Sequence, residues 1–528
     1  MSESESQPSA STLPPALADQ SPPSFTATVL RPNPQMRLTR WLFLRGLAFV
    51  YLAAFMSFGV QARGLIGQNG ILPLSEYFEA ARAFFGPAAI GQLPSVFWIS
   101  TSDAFIVGVC ALGAILAVLL FLGFAQRWIV IFEYLLYLSI VVGGQDFMSF
   151  QWDILLLEAG FLAIFLAPPH MLPRPSSQEQ PPLMASIWMF RWLLFRLIFG
   201  SGLVKLASGD PTWRNLTALS YHYETQPIPN PIAWYMYQLP LGFHKAETLI
   251  TLIVELLIPF TIFMPRIVRF VGAAVIAGLQ FVILITGNYA FFNCLTIFMC
   301  ILLLDDHLLY HVVQPNWTWL RGGIPRAFPS RIWEWTVYTI SLILLFMSLF
   351  VLPVRIGLMR YVPRPVLSAM RVTAPFYMVN GYGLFAIMTT ERPEIIIQGS
   401  NDGQTWKDYE FKYKPGDLHR PPPFVAPHQP RLDWQMWFAA LEGPPSPRWF
   451  RNLLIHLLDG SPEVLALFKT NPFPDHPPRF VRALVYDYEF TDFATRQSTG
   501  QWWQRGQPSP YNLDNSDATT GDRVVPSP

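Results

Sequence analysis

The chain has 528 residues, 52% of them hydrophobic, 15% aromatic and 13% charged. Soluble globular domains carry about 25% charged residues, so a purely soluble protein is excluded and a multi-pass membrane protein with added aqueous segments is indicated. The net charge of +1 supplies no overall attraction to nucleic acid.

Residues 1–36 are rich in Ser, Pro and Ala and lack an apolar core, which reads as a disordered tail rather than a cleaved signal peptide. Arg31, Arg37 and Arg40 precede the first apolar run. At about 20 apolar residues per crossing, residues 37–354 form a mainly α multi-pass bundle of about nine candidate transmembrane helices. These start near Trp41, Phe105, Trp128, Phe150, Met184, Thr248, Val268, Ala290 and Ile332, and the runs near 128, 150 and 290 are short. Arg127, Arg174, Arg266 with Arg269, and Arg321 with Arg326 and Arg331 fall on the side of the basic tail. The positive-inside rule then puts the N-terminus in the cytosol. Connections 63–104 and 205–247, and everything after about residue 354, are expected on the opposite side. Within 63–104, Leu74, Tyr77, Phe78 and Ala81 recur at helical spacing and predict an interfacial amphipathic helix.

Connection 205–247 is the densest polar and aromatic stretch. Lys205, Asp210, Arg214, His222, Glu224, Gln226 and Lys245 are interleaved with Trp213, Tyr221, Tyr223, Trp234, Tyr235 and Tyr237. Prolines 211, 227, 229, 231 and 240 forbid long helices there. Long ordered loops between membrane segments usually carry function; the alternative is a lid whose aromatics rest among the lipid headgroups. His222 and Glu224 have the residue types of a general base, or of a hydrogen-bonded loop histidine beside an acid. Asn215-Leu216-Thr217 and Asn316-Trp317-Thr318 are glycosylation sequons, the second on the predicted inner side.

From about Arg371 the texture changes. Residues 371–507 predict a β-rich α+β soluble domain on the non-cytosolic side, and GSNDGQTW (Gly399 to Trp406) suggests a hairpin of the kind found in discoidin-type β-sandwiches. Helices are expected over Arg431–Leu441, Trp449–Leu458 and Pro462–Phe468, and strands over Arg479–Asp492 and Trp502–Arg505. Trp434, Trp437, Trp502 and Trp503 read as exposed aromatics suited to a protein-binding surface. Residues 508–528 read as a second disordered tail.

Charges inside spans are costly and default to functional hypotheses. They are Glu133, Asp153, Glu158, Arg191, Arg196, Lys205 and Glu255. Either they form a buried acid–base cluster, or they make interhelical ion pairs such as Glu158 with Arg196, with Arg191 and Lys205 snorkelling to the interfaces. Cys110, Cys294 and Cys300 all lie inside apolar runs, so no disulfide is expected in the aqueous parts. HExxH, GxSxG, GxGxxG and P-loop patterns do not occur. No catalytic residue, metal ligand or cofactor is therefore assigned.

Several stretches resemble the lipase maturation factor family. They include QWDILLLEAGFLAIFLAP (Gln151 to Pro168), Phe195 to Tyr235, Ile285 to Asp306, Val379 to Trp406, Pro421 to Leu441 and NPFPDHPPRFVRALVYDYEFTD (Asn471 to Asp492). The resemblance implies a multi-pass membrane protein that assists folding and assembly of secreted homodimeric lipases in the endoplasmic reticulum, with a lumenal C-terminal domain. The membrane half is also similar to the vitamin K-dependent carboxylase superfamily, without a matching active-site motif. The cysteine-poor aqueous segments, and the ending VVPSP in place of an ER retrieval signal, suit a bacterial member in the cytoplasmic membrane. The expected function is a membrane-anchored folding factor holding an immature secreted or exported client through Trp213, Tyr221, Tyr223, Trp434 and Trp437. The alternative is a membrane enzyme modifying a lipid, quinone or exported protein through Lys205, His222 and Glu224 with Glu158 or Arg196.

Overall fold

The computed structural model describes residues 36–312, 329–443 and 446–511. The two terminal tails and Asn316 lie outside the described residues, save Met36 and the segment 508–511.

The first helix, α1 (Arg37–Gly59), leads to the amphipathic α2 (Leu74–Phe85), whose Leu74, Phe78 and Ala81 are buried as the helical spacing predicts. Then come α3 (Asp103–Leu122), α4 (Gln126–Gly143), α5 (Gln151–Leu166) and α6 (Met184–Ala207). Connection 205–247 contributes α7 (Ala218–Thr225) and α8 (Pro231–Tyr237). The bundle closes with α9 (Leu241–Leu256), α10 (Arg266–Thr286), α11 (Phe292–Ile301) and α12 (Arg331–Ser348).

Local chemistry sets several boundaries. Ser102 caps α3 by accepting from the Phe105 amide, and Gly123 at φ +92° ends it. The start of α1 is capped from a distance. The Asp306 carboxylate accepts from the Arg37, Leu38 and Thr39 amides at 2.9, 3.1 and 2.9 Å, serving three of the orphan donors of a helix start.

Among the described residues seven helices are long and apolar enough to cross a membrane. The expected count of nine is corrected accordingly. The two candidates starting near Phe150 and Ala290 are the shorter α5, of 16 residues, and α11, of 10. Beyond α5, the Ala167 carbonyl accepts from Arg127 and the Met171 carbonyl from the Ala125 amide, beside the start of α4. Before α5, Phe147 lies beside the end of α4 and accepts from Arg431. Likewise α11 is preceded by Asn288, bonded to the Val425 amide, and followed by Asp306 at the start of α1. Both α5 and α11 are as apolar as the longer helices and fall short only in length.

The C-terminal part builds one antiparallel sheet. Its strands are β1 (Pro393–Ser400), β2 (Lys407–Tyr409), β3 (Phe480–Phe490), β4 (Trp503–Arg505) and β5 (Ser509–Pro510), in the order β2-β1-β3-β4 with β5 also on β3. The predicted hairpin is present as β1 and β2, in register Ile397↔Tyr409. The expected β-sandwich is corrected: the described residues form a single sheet, packed against α13 (Arg431–Glu442) and α14 (Arg448–Asp459). β1 is buried on both faces, reading half-buried, four buried, half-buried, two buried. Such a strand loses the alternation that marks a half-exposed one.

This part is keyed into the bundle by ions. Arg431 grips Asp153 through both carboxylate oxygens, at 2.5 and 2.9 Å, with neither side chain exposed. The Tyr137 hydroxyl donates to the same carboxylate at 2.5 Å, and Arg431 also donates to the Phe147 carbonyl at 3.2 Å. Around this pair, Gln61 accepts from the Arg431 amide and donates to the Gln429 carbonyl, both at 2.8 Å. Removing one member of a dry ion pair strands the other. Arg431→Met is therefore expected to cost about 3–5 kcal/mol, read as a lower melting temperature in detergent, and an unchanged melt would remove the pair from this role.

Candidate functional site

Connection 205–247 lies between the bundle and the C-terminal sheet, and most of its singled-out side chains face inward. Asp210 accepts from the Thr212 amide at 2.8 Å and from the Met388 amide at 2.5 Å. Trp213 is 2% exposed and donates to the Phe385 carbonyl at 3.0 Å. Tyr223, also buried, donates to Glu247 at 2.8 Å, and the other oxygen of Glu247 is 2.7 Å from His244 Nδ1. Gln226 donates to the Thr286 carbonyl and accepts from the Tyr289 hydroxyl, both at 3.0 Å. Arg214 and the sequon residue Asn215 are exposed, and Tyr221 is half-buried against the Trp213 cluster.

The exposure expected of the C-terminal tryptophans is corrected. Trp434 and Trp503 are buried, and Trp437 is nearly so, while Trp502 is half-buried. Trp434 stacks edge-on with Trp152 and Phe150, at 4.7 and 5.7 Å between ring centres, and Trp437 donates to the Thr225 carbonyl at 2.9 Å. These rings join α13 to the bundle; the sequence suggested an exposed surface because composition does not say what docks on it.

The in-span charges resolve into separate pairs. Glu158 bonds Arg196 as expected, and it also accepts from the Tyr382 hydroxyl at 2.7 Å and the Asn380 amide at 2.9 Å. Lys205 does not snorkel; it grips both oxygens of Glu255 at 2.8 and 2.7 Å. Nor does Arg191, which is buried and donates to the Leu302 carbonyl at 3.2 Å. Asp153 belongs to the Arg431 clamp. Both carboxylate oxygens of Glu133 are buried without a hydrogen-bond partner. Among the described residues no three His, Cys, Asp or Glu side chains gather as a metal site.

One cavity collects what remains. It measures about 340 Å³ and lies between α6, α7, α9 and α10, lined mainly by apolar side chains together with Lys205, His222, Tyr223, Glu247 and Glu255. His222 Nε2 is 2.8 Å from the Tyr289 hydroxyl. Burial, with the Lys205 charge adding to it, holds the imidazole down at about 4, so the ring is neutral at ordinary pH. Glu224 is not part of this cavity. It faces the sheet, accepting from the Phe490 amide at 2.5 Å, and burial raises its carboxyl to about 7 against the pull of that amide and of Arg392. The set Lys205, His222, Glu224 with Glu158 or Arg196 is thus not assembled; only Lys205 and His222 share a cavity.

Sequence reasoning overlooked the residues that hold connection 205–247 in place. Arg392, fully buried, donates to the carbonyls of Glu224, Gln226 and Pro227 at 2.6, 2.5 and 2.9 Å and to Glu394 at 2.7 Å. Asn288 donates to the Ile228 and Pro423 carbonyls at 3.1 and 2.8 Å and accepts from the Val425 amide at 2.8 Å. The only available signals were polar residues at the starts of a strand and a turn, in TERPE and TGN.

Residues 38–311 match the family model of the lipase maturation factor transmembrane domain, and residues 378–512 that of the lipase maturation factor C-terminal domain. The chain belongs to the lipase maturation factor family. Lipase maturation factor 1 of Bos taurus is 37% identical over 90% of this chain and 88% of its own length. Lipase maturation factor 2 of Xenopus tropicalis is 34% identical over 89% of this chain and 81% of its own. No solved structure matches. The chain is accordingly an integral membrane protein of that family.

The Glu224 carboxyl has a consequence for pH. Its folded value of about 7 exceeds the ordinary 4.5, so the stability linked to it is fully present below about pH 4.5 and is lost as the pH rises to about 7. Glu224→Gln is expected to flatten that part of the melting-temperature profile, and an identical slope in the variant would assign it to another group.

Proposed function

We propose that this chain is a membrane-resident maturation factor that assists the folding and assembly of a secreted or exported lipase. The observation that carries the reading is the family match over nearly the whole chain, with relatives that are themselves named lipase maturation factors. The membrane is that of the endoplasmic reticulum in a eukaryote or the cytoplasmic membrane in a bacterium. The N-terminus is cytosolic and the C-terminal part lumenal or periplasmic. Membrane lipids surround the bundle, and the client is held by apolar contact, which needs area and no bond chemistry.

The buried rings of Trp213, Tyr223, Trp434 and Trp437 serve this task by fixing the shape of the holding face. The contact itself falls to aromatics that stay exposed where α8 meets β4. Tyr235 is 48% and Phe493 56% exposed, with ring centres 6.2 Å apart. Arg496 stacks 3.5 Å above the neighbouring Trp502 and 4.7 Å from Trp234, which keeps the cluster upright. An exposed aromatic group with a stacked Arg has the composition of a contact hot spot.

Two sets of variants separate holding from folding. Tyr235→Ala with Phe493→Ala is expected to lower the secreted activity of a co-expressed homodimeric lipase about fivefold or more while leaving the level of the factor unchanged. Trp213→Ala is expected to lower the level of the factor itself, because truncating a buried Trp costs about 3–5 kcal/mol. Full lipase activity with both exposed rings removed would end the contact assignment.

A further inference from the structure

The cavity between α6, α7, α9 and α10 is built for more than packing. Its mouth lies on the outer surface of the bundle. Ile250 of α9 is 57% exposed and Val282 of α10 46%, yet both also line the cavity. Gly278, one turn before Val282 on α10 and likewise exposed, has nothing within 4 Å of where a Cβ would stand. The mouth therefore sits between two of the seven candidate membrane helices, where the surrounding solvent is acyl chain. At about 340 Å³ and largely apolar, the chamber lies within the size range of ligand pockets, about 300–1,000 Å³.

Its polar groups state what kind of head is wanted. Tyr289 donates its hydroxyl proton to Gln226, so at His222 it accepts, and His222 Nε2 is the protonated nitrogen. That leaves His222 Nδ1 as a bare acceptor, buried and without a donor. Asn293 also lines the cavity. Its amide nitrogen donates to Gln280 at 2.8 Å, and its carbonyl oxygen is a second buried acceptor without a donor. Buried acceptors are normally satisfied, and these two belong to residues that line one chamber, where a ligand that donates would complete them. The charges point the same way. Lys205 is the only cation among the lining residues, and Glu255 occupies it through both oxygens. No free positive charge is left for a phosphate or carboxylate head.

We propose that this cavity is a binding site for one uncharged, hydroxyl-bearing membrane lipid. It enters sideways from the bilayer past Gly278, with its chain against the apolar walls and its hydroxyl directed towards His222 Nδ1 and Asn293 Oδ1. The site stands apart from client holding, since Tyr235 and Phe493 are not among its lining residues. Diacylglycerols, sterols and quinols share this head chemistry, and the hydroxyl is what the walls distinguish from a phospholipid head.

The test uses the full chain in vesicles carrying photoreactive diacylglycerol, photoreactive sterol, photoreactive quinol, or photoreactive phosphatidic acid with the same chains as the diacylglycerol. After irradiation, labelled peptides are identified by mass spectrometry. At least one neutral probe is expected to label α9 or α10 about tenfold more than phosphatidic acid, and which probe succeeds names the lipid. Gly278→Trp, whose side chain projects into open space, is expected to abolish that labelling at an unchanged melting temperature. Should that variant fail to fold, Ile250→Trp on the facing side of the mouth carries the same measurement. His222→Phe is expected to remove the preference for the hydroxyl probe while chain-dependent labelling persists. Labelling by phosphatidic acid equal to the neutral probes, labelling by none of the four, or labelling that survives both Trp variants would overturn the site.

Discussion

The ion pair between Asp153 and Arg431 is the contact on which the architecture turns. Neither side chain has any exposed surface, and 278 residues of chain separate them. A dry pair of this kind adds little net stability by comparison with a hydrophobic replacement, but it tolerates no error of placement. Two hydrogen bonds in the guanidinium fork, a third from Tyr137 and a fourth to the Phe147 carbonyl fix α13 in one position over the end of α5. The Trp434 and Trp437 rings then have a single seat each. The result is registration of two halves that belong to separate family domains.

Registration matters because connection 205–247 has little structure of its own. Its helices are short and its prolines remove amide donors, so its carbonyls need partners from elsewhere. Arg392 takes three of them from the sheet side, while Asn288 and Gln226 tie it to the bundle side. Glu224 closes the arrangement by capping the end of β3 at Phe490. The connection is thus a layer bonded to the bundle on one side and to the sheet on the other. It presents Tyr235 on one flank and encloses the Lys205–Glu255 cavity on the other.

Polar groups placed in apolar surroundings include two kinds here. Glu158 with Arg196, Lys205 with Glu255 and Asp153 with Arg431 are matched pairs that choose helix partners, as polar groups do where hydrophobicity offers no discrimination. His222 and Asn293 are different, since each has one end bonded and one acceptor open. The first kind explains how the bundle is specified. The second is what a structural role leaves unexplained.

Hydropathy and charge by themselves determined that the chain is a helical membrane protein with a mixed C-terminal part, because burial in lipid demands long apolar runs that no other environment requires. The hairpin at Asn401-Asp402-Gly403, the amphipathic α2 and the Glu158–Arg196 pair were legible for the same reason: each follows from local pattern or from the cost of an unpaired charge. The long family stretches carried the rest of the identity. Tertiary structure alone decided that Trp434 and Trp437 are interior, since exposure depends on what docks and not on composition. It alone matched Arg431 to Asp153 and Arg392 to the carbonyls of residues 224–227. It also separated Glu224 from His222, which are two residues apart in sequence but face a sheet and a cavity respectively. Long-range docking chooses those partners, and sequence spacing has no means of recording it.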